Sequence, residues 1–175
     1  MIKDRPRRLD PIFPRAPIFF VTFCPRDRRR IDPLNQVKAA FVSYCERALQ
    51  EHNVAIGGYV IMPDHVHFFV RGNPSFVLST WVAGLKRAMS VAVFKDSQPA
   101  RLPPQEEGFK EWQAVRLPLQ RRSLWQPGFF DHVLRNDESY AQKWEYVREN
   151  PVRAGLAAQW RQWPYQGEIT RIKRA

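Results

Sequence analysis

The sequence is poor in cysteine, in acidic residues and in long apolar runs. Its 175 residues include two cysteines, Cys24 and Cys45, which excludes a disulfide-rich scaffold or a cysteine-based zinc module. No run approaches the ~18 apolar residues of a membrane-spanning helix, and no apolar segment of a signal peptide follows the basic N-terminus. We therefore expect one cytoplasmic domain over residues 1–175 with no membrane partner.

Acidic residues are also scarce relative to basic ones. The chain has 28 lysines and arginines against 17 aspartates and glutamates, so its formal net charge is +11. Such an excess is typical of proteins that bind a polyanion, most often nucleic acid. Charge alone does not distinguish a nucleic-acid enzyme from a binding protein.

Two histidines stand in a stretch that predicts a buried strand, residues 62–70 (MPDHVHFFV). Because alternate residues of a strand point to one face, the imidazoles of His65 and His67 should project together. Two neutral imidazoles side by side provide half of a metal site. For an isolated pair, two solvated histidines on a sheet face are the commoner arrangement.

A second stretch, residues 137–150, predicts a helix that Pro151 ends. Its core stripe is predicted at Tyr140, Trp144 and Val147. At ~100° per residue, Tyr146 lies well off that stripe. Asn150 follows Tyr146 by one turn and Lys143 borders it, so one flank carries a phenol, an amide oxygen and an ammonium. The alternative is an exposed tyrosine on a polar helix face.

Three motifs together make the sequence resemble the single-tyrosine HUH transposases, and more closely the REP-associated tyrosine transposases of bacteria. They are PDHVH at residues 63–67, WQPGFFDHVLR at 125–135 and YVRENPVRAGL at 146–156. Their order and spacing agree with the family, and the similarity extends from about residue 19 to about residue 163. The resemblance implies a ferredoxin-like core with the histidine pair on a central strand.

The resemblance also implies roles for four residues. His65 and His67 would bind a divalent metal, Asn150 would complete the metal site, and Tyr146 would be the nucleophile. Many insertion-sequence relatives have glutamine where this chain has Asn150, so asparagine fits the REP-associated branch better. An amide oxygen suits Mg²⁺ or Mn²⁺.

The expected activity is metal-dependent cleavage and joining of single-stranded DNA. Tyr146 would form a 5′-phosphotyrosine, which conserves the bond energy for strand transfer. The DNA would lie beside a REP-type hairpin, and the protein would act at the bacterial nucleoid as a monomer or a homodimer. A non-catalytic nucleic-acid-binding protein on the same fold and a hydrolytic metallonuclease remain alternatives.

Basic residues in several segments are candidates for contacts with DNA phosphates. They are Arg7 and Arg8 in a basic arm over residues 1–16, Lys86 in a helix over residues 76–94, Arg135, and Lys143 beside the tyrosine. The family commonly has a lysine at the place of Lys86, close to the catalytic pocket. The alternative for the arm is a solvated tail. For His132 we expect a structural role.

The predicted order of elements is strand, helix, strand, strand, helix, loop, helix. Antiparallel strands covered by helices on one face give an α+β domain. Gly57 and Gly58 predict a bulge in the second strand. A Pro-rich insertion is predicted at about residues 96–123 and a basic C-terminal tail at residues 166–175. The apolar side of the helix at residues 76–94 is predicted at Val77, Trp81, Leu85, Ala88 and Val91.

Overall fold

The computed structural model describes residues 16–96, 124–134 and 140–172. Nearly all of the basic arm, most of the Pro-rich insertion and Arg135 lie outside these ranges. The strands are β1 (Phe19–Phe23), β2 (Ala55–Ile61), β3 (Val66–Arg71), β4 (Phe130–Val133) and β5 (Gln166–Glu168). The α-helices are α1 (Leu34–His52), α2 (Leu78–Asp96), α3 (Tyr140–Arg148) and α4 (Asn150–Arg153).

The five strands form one antiparallel sheet in the order β4-β1-β3-β2-β5. The first four strands have the ferredoxin-like order, and β5 extends the sheet beyond β2. This confirms the predicted α+β class. The central strand is β3, which contains His67, and His65 immediately precedes it.

The two faces of the sheet carry different helices. On one face, α1 and α2 bury a large core that includes Phe23, Phe41, Phe68 and Leu85. On the other, α3 covers a smaller core that includes Phe20, Phe69, Trp144 and Val147. The expectation that the helices share one face holds for α1 and α2 and is wrong for α3. The core stripe of α3 is apolar and must be buried, and it packs on the sheet face that α1 and α2 leave open.

The bulge predicted at Gly57 and Gly58 is present, because the β2–β3 register shifts between Ile56 and Tyr59. At these glycines α3 approaches the sheet closely. A Cβ atom on Gly58 would lie 2.6 Å from the ring of Trp144, and the Gly58 N–H donates to Tyr140 Oη at 2.7 Å. Because Gly57 and Gly58 have no side chains, the helix that carries Tyr146 can pack closely against the sheet.

Two predicted features are wrong in detail. Residues 166–172 are not a free tail: Gln166–Glu168 pairs with the open edge of β2, and Thr170 and Ile172 are buried. The apolar side of α2 includes neither Val77 nor Val91, which are 58% and 43% exposed. Val77 precedes the helix, and Val91 points away from the sheet. The buried stripe of α2 is Trp81, Val82, Leu85, Met89 and Val93.

Adding one methyl group at the bulge should loosen the contact of α3 with the sheet. We expect Gly58→Ala to lower the free energy of unfolding by about 1–3 kcal/mol, because the methyl overlaps the Trp144 ring. Urea denaturation measures the loss. In a Trp144→Leu background the same change should cost less, since the ring is gone. Equal losses in both backgrounds would contradict this explanation.

Candidate active site

A pocket of about 520 Å³ lies on the α3 face of the sheet. Its lining brings together five of the residues singled out in the sequence: His65, His67, Lys143, Tyr146 and Asn150. Asp64, Phe20 and Arg153 also line it. The sheet supplies the histidines, and the α3–α4 segment supplies the tyrosine and the amide.

The two histidines are held as a pair. Their ring centroids lie 4.5 Å apart. His65 Nδ1 lies 2.8 Å from a carboxylate oxygen of Asp64, and His67 Nδ1 lies 2.7 Å from Thr22 Oγ1. A carboxylate accepts hydrogen bonds, so Asp64 favours a proton on Nδ1 of His65 and a free lone pair on Nε2. Thr22 allows the same tautomer for His67.

His67 is a neutral imidazole. Burial lowers its pKa to about 3, and the positive charges around it act in the same direction. These charges come from His65, Lys143 and Arg153, while Asp64 partly opposes them. The neutral form is the one in which an imidazole can bind a metal.

Tyr146 lies on the outer flank of α3, as the spacing predicts. Its side chain is 63% exposed, whereas Val147 is buried beside it. Tyr140, the other tyrosine of the helix, packs on Phe69 with ring centroids 4.6 Å apart. Burial raises the pKa of Tyr140, and its hydroxyl is bonded to the Gly58 N–H. Only Tyr146 of this pair therefore faces the histidine pocket.

The chain changes direction immediately after the tyrosine helix. α3 ends at Arg148, and Asn150 opens the short helix α4 with Pro151 in its first turn. Asn150 is therefore not one helical turn after Tyr146 on a continuous helix, as the spacing suggests. It nevertheless lines the same pocket, because the break turns α4 back toward the histidines.

Arg153 connects the two sides of this break. Its guanidinium carbon lies 4.1 Å from the centroid of the Tyr146 ring. Its Nη2 donates to the backbone oxygen of Tyr146 at 2.6 Å and also to Asn150 Oδ1. One side chain thus contacts both the candidate nucleophile and the candidate metal ligand.

Sequence reasoning missed Asp64, Thr22 and Arg153. Asp64 was visible beside His65 in the PDHVH motif. Thr22 could not be found, because its role depends on the register that pairs it with His67 across β1 and β3. Arg153 is part of the YVRENPVRAGL motif, but its contact with Tyr146 could not be predicted from helical spacing, because the helix is interrupted before Pro151.

The donor atoms of the pocket fit a divalent cation. Two imidazole nitrogens and the amide oxygen of Asn150 are a mixed nitrogen and oxygen set of the kind that Mn²⁺ or Mg²⁺ can use. Within the described ranges, no group of three histidine, cysteine, aspartate or glutamate side chains is placed to hold a metal. Asn150, whose amide oxygen also lines the pocket, could serve as a third protein ligand.

The basic residues predicted for DNA binding separate into three groups. Lys143 is in the pocket, with Nζ 5.3 Å from the centroid of the Phe20 ring, which stacks on His67. Lys86 is on α2, across the sheet from the histidines. Arg7, Arg8 and Arg135 lie outside the described residues. His132 is on β4 opposite Phe20 and does not line the pocket.

Lys86 has a structural environment of its own. Its Nζ donates to the backbone oxygens of Gln126, at 3.0 Å, and Gly128. It lies 5.1 Å from the centroid of the Phe23 ring, at the wall of a cavity of about 750 Å³ between α2 and the segment before β4. Burial lowers the pKa of Lys86. This lysine therefore anchors the segment that leads into β4.

Replacing Lys86 tests that role. We expect Lys86→Met to lower the free energy of unfolding by about 1–3 kcal/mol, because two carbonyl groups lose a charged donor. Arg87→Met, at the exposed neighbouring position, is the control and should change stability by less than about 0.5 kcal/mol. Thermal denaturation compares the two variants. A Lys86 variant that keeps full stability but loses more DNA affinity than the Arg87 variant would contradict the structural role.

Among the residues that the structure describes, no helix is long and apolar enough to cross a membrane.

Comparison with known proteins identifies the family. The profile described as "Transposase IS200 like" matches residues 18–150. A Haemophilus influenzae protein assigned as a REP-associated tyrosine transposase is 26% identical over 159 residues, which cover 87% of this chain and 80% of that protein. The REP-associated tyrosine transposase of Escherichia coli K12 is 36% identical over 44 residues, 25% of this chain and 27% of its own.

One solved structure agrees with the fold. A REP-associated tyrosine transposase bound to a REP hairpin superimposes with a TM-score of 0.60 at 17% identity, covering 98% of this chain and 94% of its own. The profile covers most of the chain, including the histidine pair and the tyrosine helix. The chain therefore belongs to the IS200-like transposase family.

Proposed function

We propose that the protein cleaves and joins single-stranded DNA beside a REP-type hairpin, through a covalent bond between Tyr146 and a DNA 5′-phosphate. One observation carries the proposal: an exposed tyrosine shares a pocket that holds two basic side chains with the histidine pair. The relatives named above support the choice of DNA, since one of them was solved on a REP hairpin. The net charge of +11 suits such a partner.

The proposed step is a substitution at phosphorus. Tyr146 Oη loses its proton and forms a bond to phosphorus, while the bond from phosphorus to the 3′ oxygen breaks. That oxygen takes up a proton and leaves as a 3′-hydroxyl. The new phosphotyrosine keeps the energy of the broken ester, so a second 3′-hydroxyl can reverse the step and join a different strand.

The residues around Tyr146 prepare the pocket for an anionic phosphate. Lys143 and Arg153 line the pocket together with the histidines and so place positive charge beside them. Asp64 and Thr22 orient the imidazoles through Nδ1. A divalent cation held by His65, His67 and Asn150 would polarise the scissile phosphate. Because Tyr146 is exposed, an unpaired strand can reach it without rearrangement of the core.

Removing the phenolic oxygen should abolish the covalent product. We expect Tyr146→Phe to reduce adduct formation with labelled single-stranded DNA and Mn²⁺ by on the order of 10³-fold or more. Folding and DNA affinity should change little, because the ring is exposed and the phosphate contacts remain. Denaturing gel electrophoresis detects the adduct, and peptide mapping locates it.

Tyr140→Phe is the matched control for this experiment. It removes the oxygen bonded to Gly58 N–H and should cost stability, on the order of 1–3 kcal/mol, yet the adduct should still form on Tyr146. An adduct that persists in Tyr146→Phe would move the nucleophile elsewhere. DNA cleavage without any adduct would favour the alternative in which water is the nucleophile.

The histidine pair is tested separately from DNA binding. We expect His65→Ala or His67→Ala to remove most metal-dependent cleavage while DNA affinity stays nearly intact, since lysine and arginine contacts dominate affinity. His132→Ala is the control, because this histidine lies outside the pocket. Cleavage and filter-binding assays give the two readouts. Cleavage at the wild-type rate in both pocket variants would exclude the metal site.

A further inference from the structure

Arg153 lines the pocket and makes contacts that the proposed substitution at phosphorus does not explain. It is exposed, and its guanidinium contacts the ring and backbone oxygen of Tyr146 and the amide oxygen of Asn150. All three groups are neutral. Among the described residues no carboxylate forms a direct ion pair with Arg153, and the carboxylate of the pocket lining, Asp64, is bonded to His65.

We propose that Arg153 is a catalytic residue that binds the scissile phosphate, and that in doing so it releases the side-chain oxygen of Asn150. This inference rests on the proposed function of the pocket. A phosphate attacked by Tyr146 must lie next to the tyrosine side chain, and Arg153 is stacked on that ring. Arginine presents several N–H donors in a planar fork that matches phosphate oxygens, and it keeps its charge at any working pH.

The charge distribution supports an anion as the partner. Arg153 and Lys143 both line the pocket that contains Tyr146 and the histidine pair, so both charges act on the same part of the molecule. A guanidinium that hydrogen-bonds only to neutral oxygens gains more by turning to a phosphate, because charge-assisted hydrogen bonds are stronger than those to neutral acceptors. The fork can make this change by side-chain rotation.

Other arginines of the region have different partners. Arg148 and Arg161 both lie over the Trp160 ring, with guanidinium carbons 4.4 and 4.5 Å from its centroid. Arg148 also pairs with Glu145 at 3.3 Å. Neither arginine lines the histidine pocket. Arg153 is therefore distinguished by position, and Arg161 provides a matched control: an exposed arginine stacked on an aromatic ring.

The contact of Arg153 with Asn150 links phosphate binding to metal binding, because Asn150 is a proposed metal ligand. While Arg153 donates to Asn150 Oδ1, a positive charge lies at the oxygen that would bind a cation. Once the guanidinium turns to the phosphate, that oxygen becomes available. The arginine thus does not serve to orient Asn150 for the metal. Its removal should leave cation binding in the absence of DNA unchanged or tighter.

The test compares Arg153→Gln, Arg153→Lys and Arg161→Gln in the full chain. We expect Arg153→Gln to slow adduct formation at saturating single-stranded DNA by about 10²-fold or more, the usual effect of removing a donor that stabilises transition-state charge. Arg153→Lys should recover only part of the rate, since it restores the charge without the fork. DNA affinity should fall far less than the rate, since one of many phosphate contacts is lost, and Arg161→Gln should keep the wild-type rate.

Mn²⁺ affinity without DNA, measured by electron paramagnetic resonance, separates this role from a structural one. Affinity tenfold weaker in Arg153→Gln than in the wild-type protein would mean that the arginine orients Asn150, and would overturn the proposal. A wild-type rate of adduct formation in Arg153→Gln would also overturn the proposal for Arg153. The proposed function of the pocket would still hold in that case, because the adduct forms on Tyr146. If the wild-type protein itself forms no adduct, the proposed function fails first.

Discussion

The close approach of α3 to the bulged part of β2 is the contact on which the rest of the site depends. Gly58 has no Cβ, so the Trp144 ring packs directly on the strand. The bulge interrupts the β2–β3 pairing at Gly58, and its N–H donates to Tyr140. With two aromatic side chains anchored in this way, the opposite flank of α3 faces the pocket. Tyr146 is therefore positioned by residues that have no chemical role themselves.

The pocket combines two imidazoles and an amide with two basic side chains, Lys143 and Arg153. Burial lowers the pKa of His67, so this imidazole is neutral. Lys143 and Arg153 bring positive charge to the same pocket. Basic side chains in a pocket attract anions, which suits the phosphate diester proposed as the substrate. The same charges would oppose a cation in the absence of the phosphate, so substrate and metal should support each other's binding.

Local patterns predicted much of the site. The period of two in PDHVH placed both imidazoles on one face, and the period of 3.6 separated Tyr146 from the core stripe of its helix. Both placements follow from backbone geometry alone. The double glycine likewise predicted the bulge. The prediction that Val77 and Val91 are buried was wrong, because the first residue of α2 and the face that α2 buries depend on its packing against the sheet. The prediction of a tail at residues 166–172 was also wrong, since a polar segment can become a strand when an open edge accepts it.

The sequence by itself determined the α+β class, the histidine pair, the off-stripe tyrosine and the excess of basic charge, because each depends on neighbouring residues or on composition. Only the tertiary structure decided that α3 packs on the opposite face from α1 and α2, that Thr22 pairs with His67, and that Lys86 lies across the sheet from the pocket. It also decided that Arg153 contacts both Tyr146 and Asn150. These relations join residues through strand register, sheet face and the break at Pro151, and no local period encodes such long-range geometry.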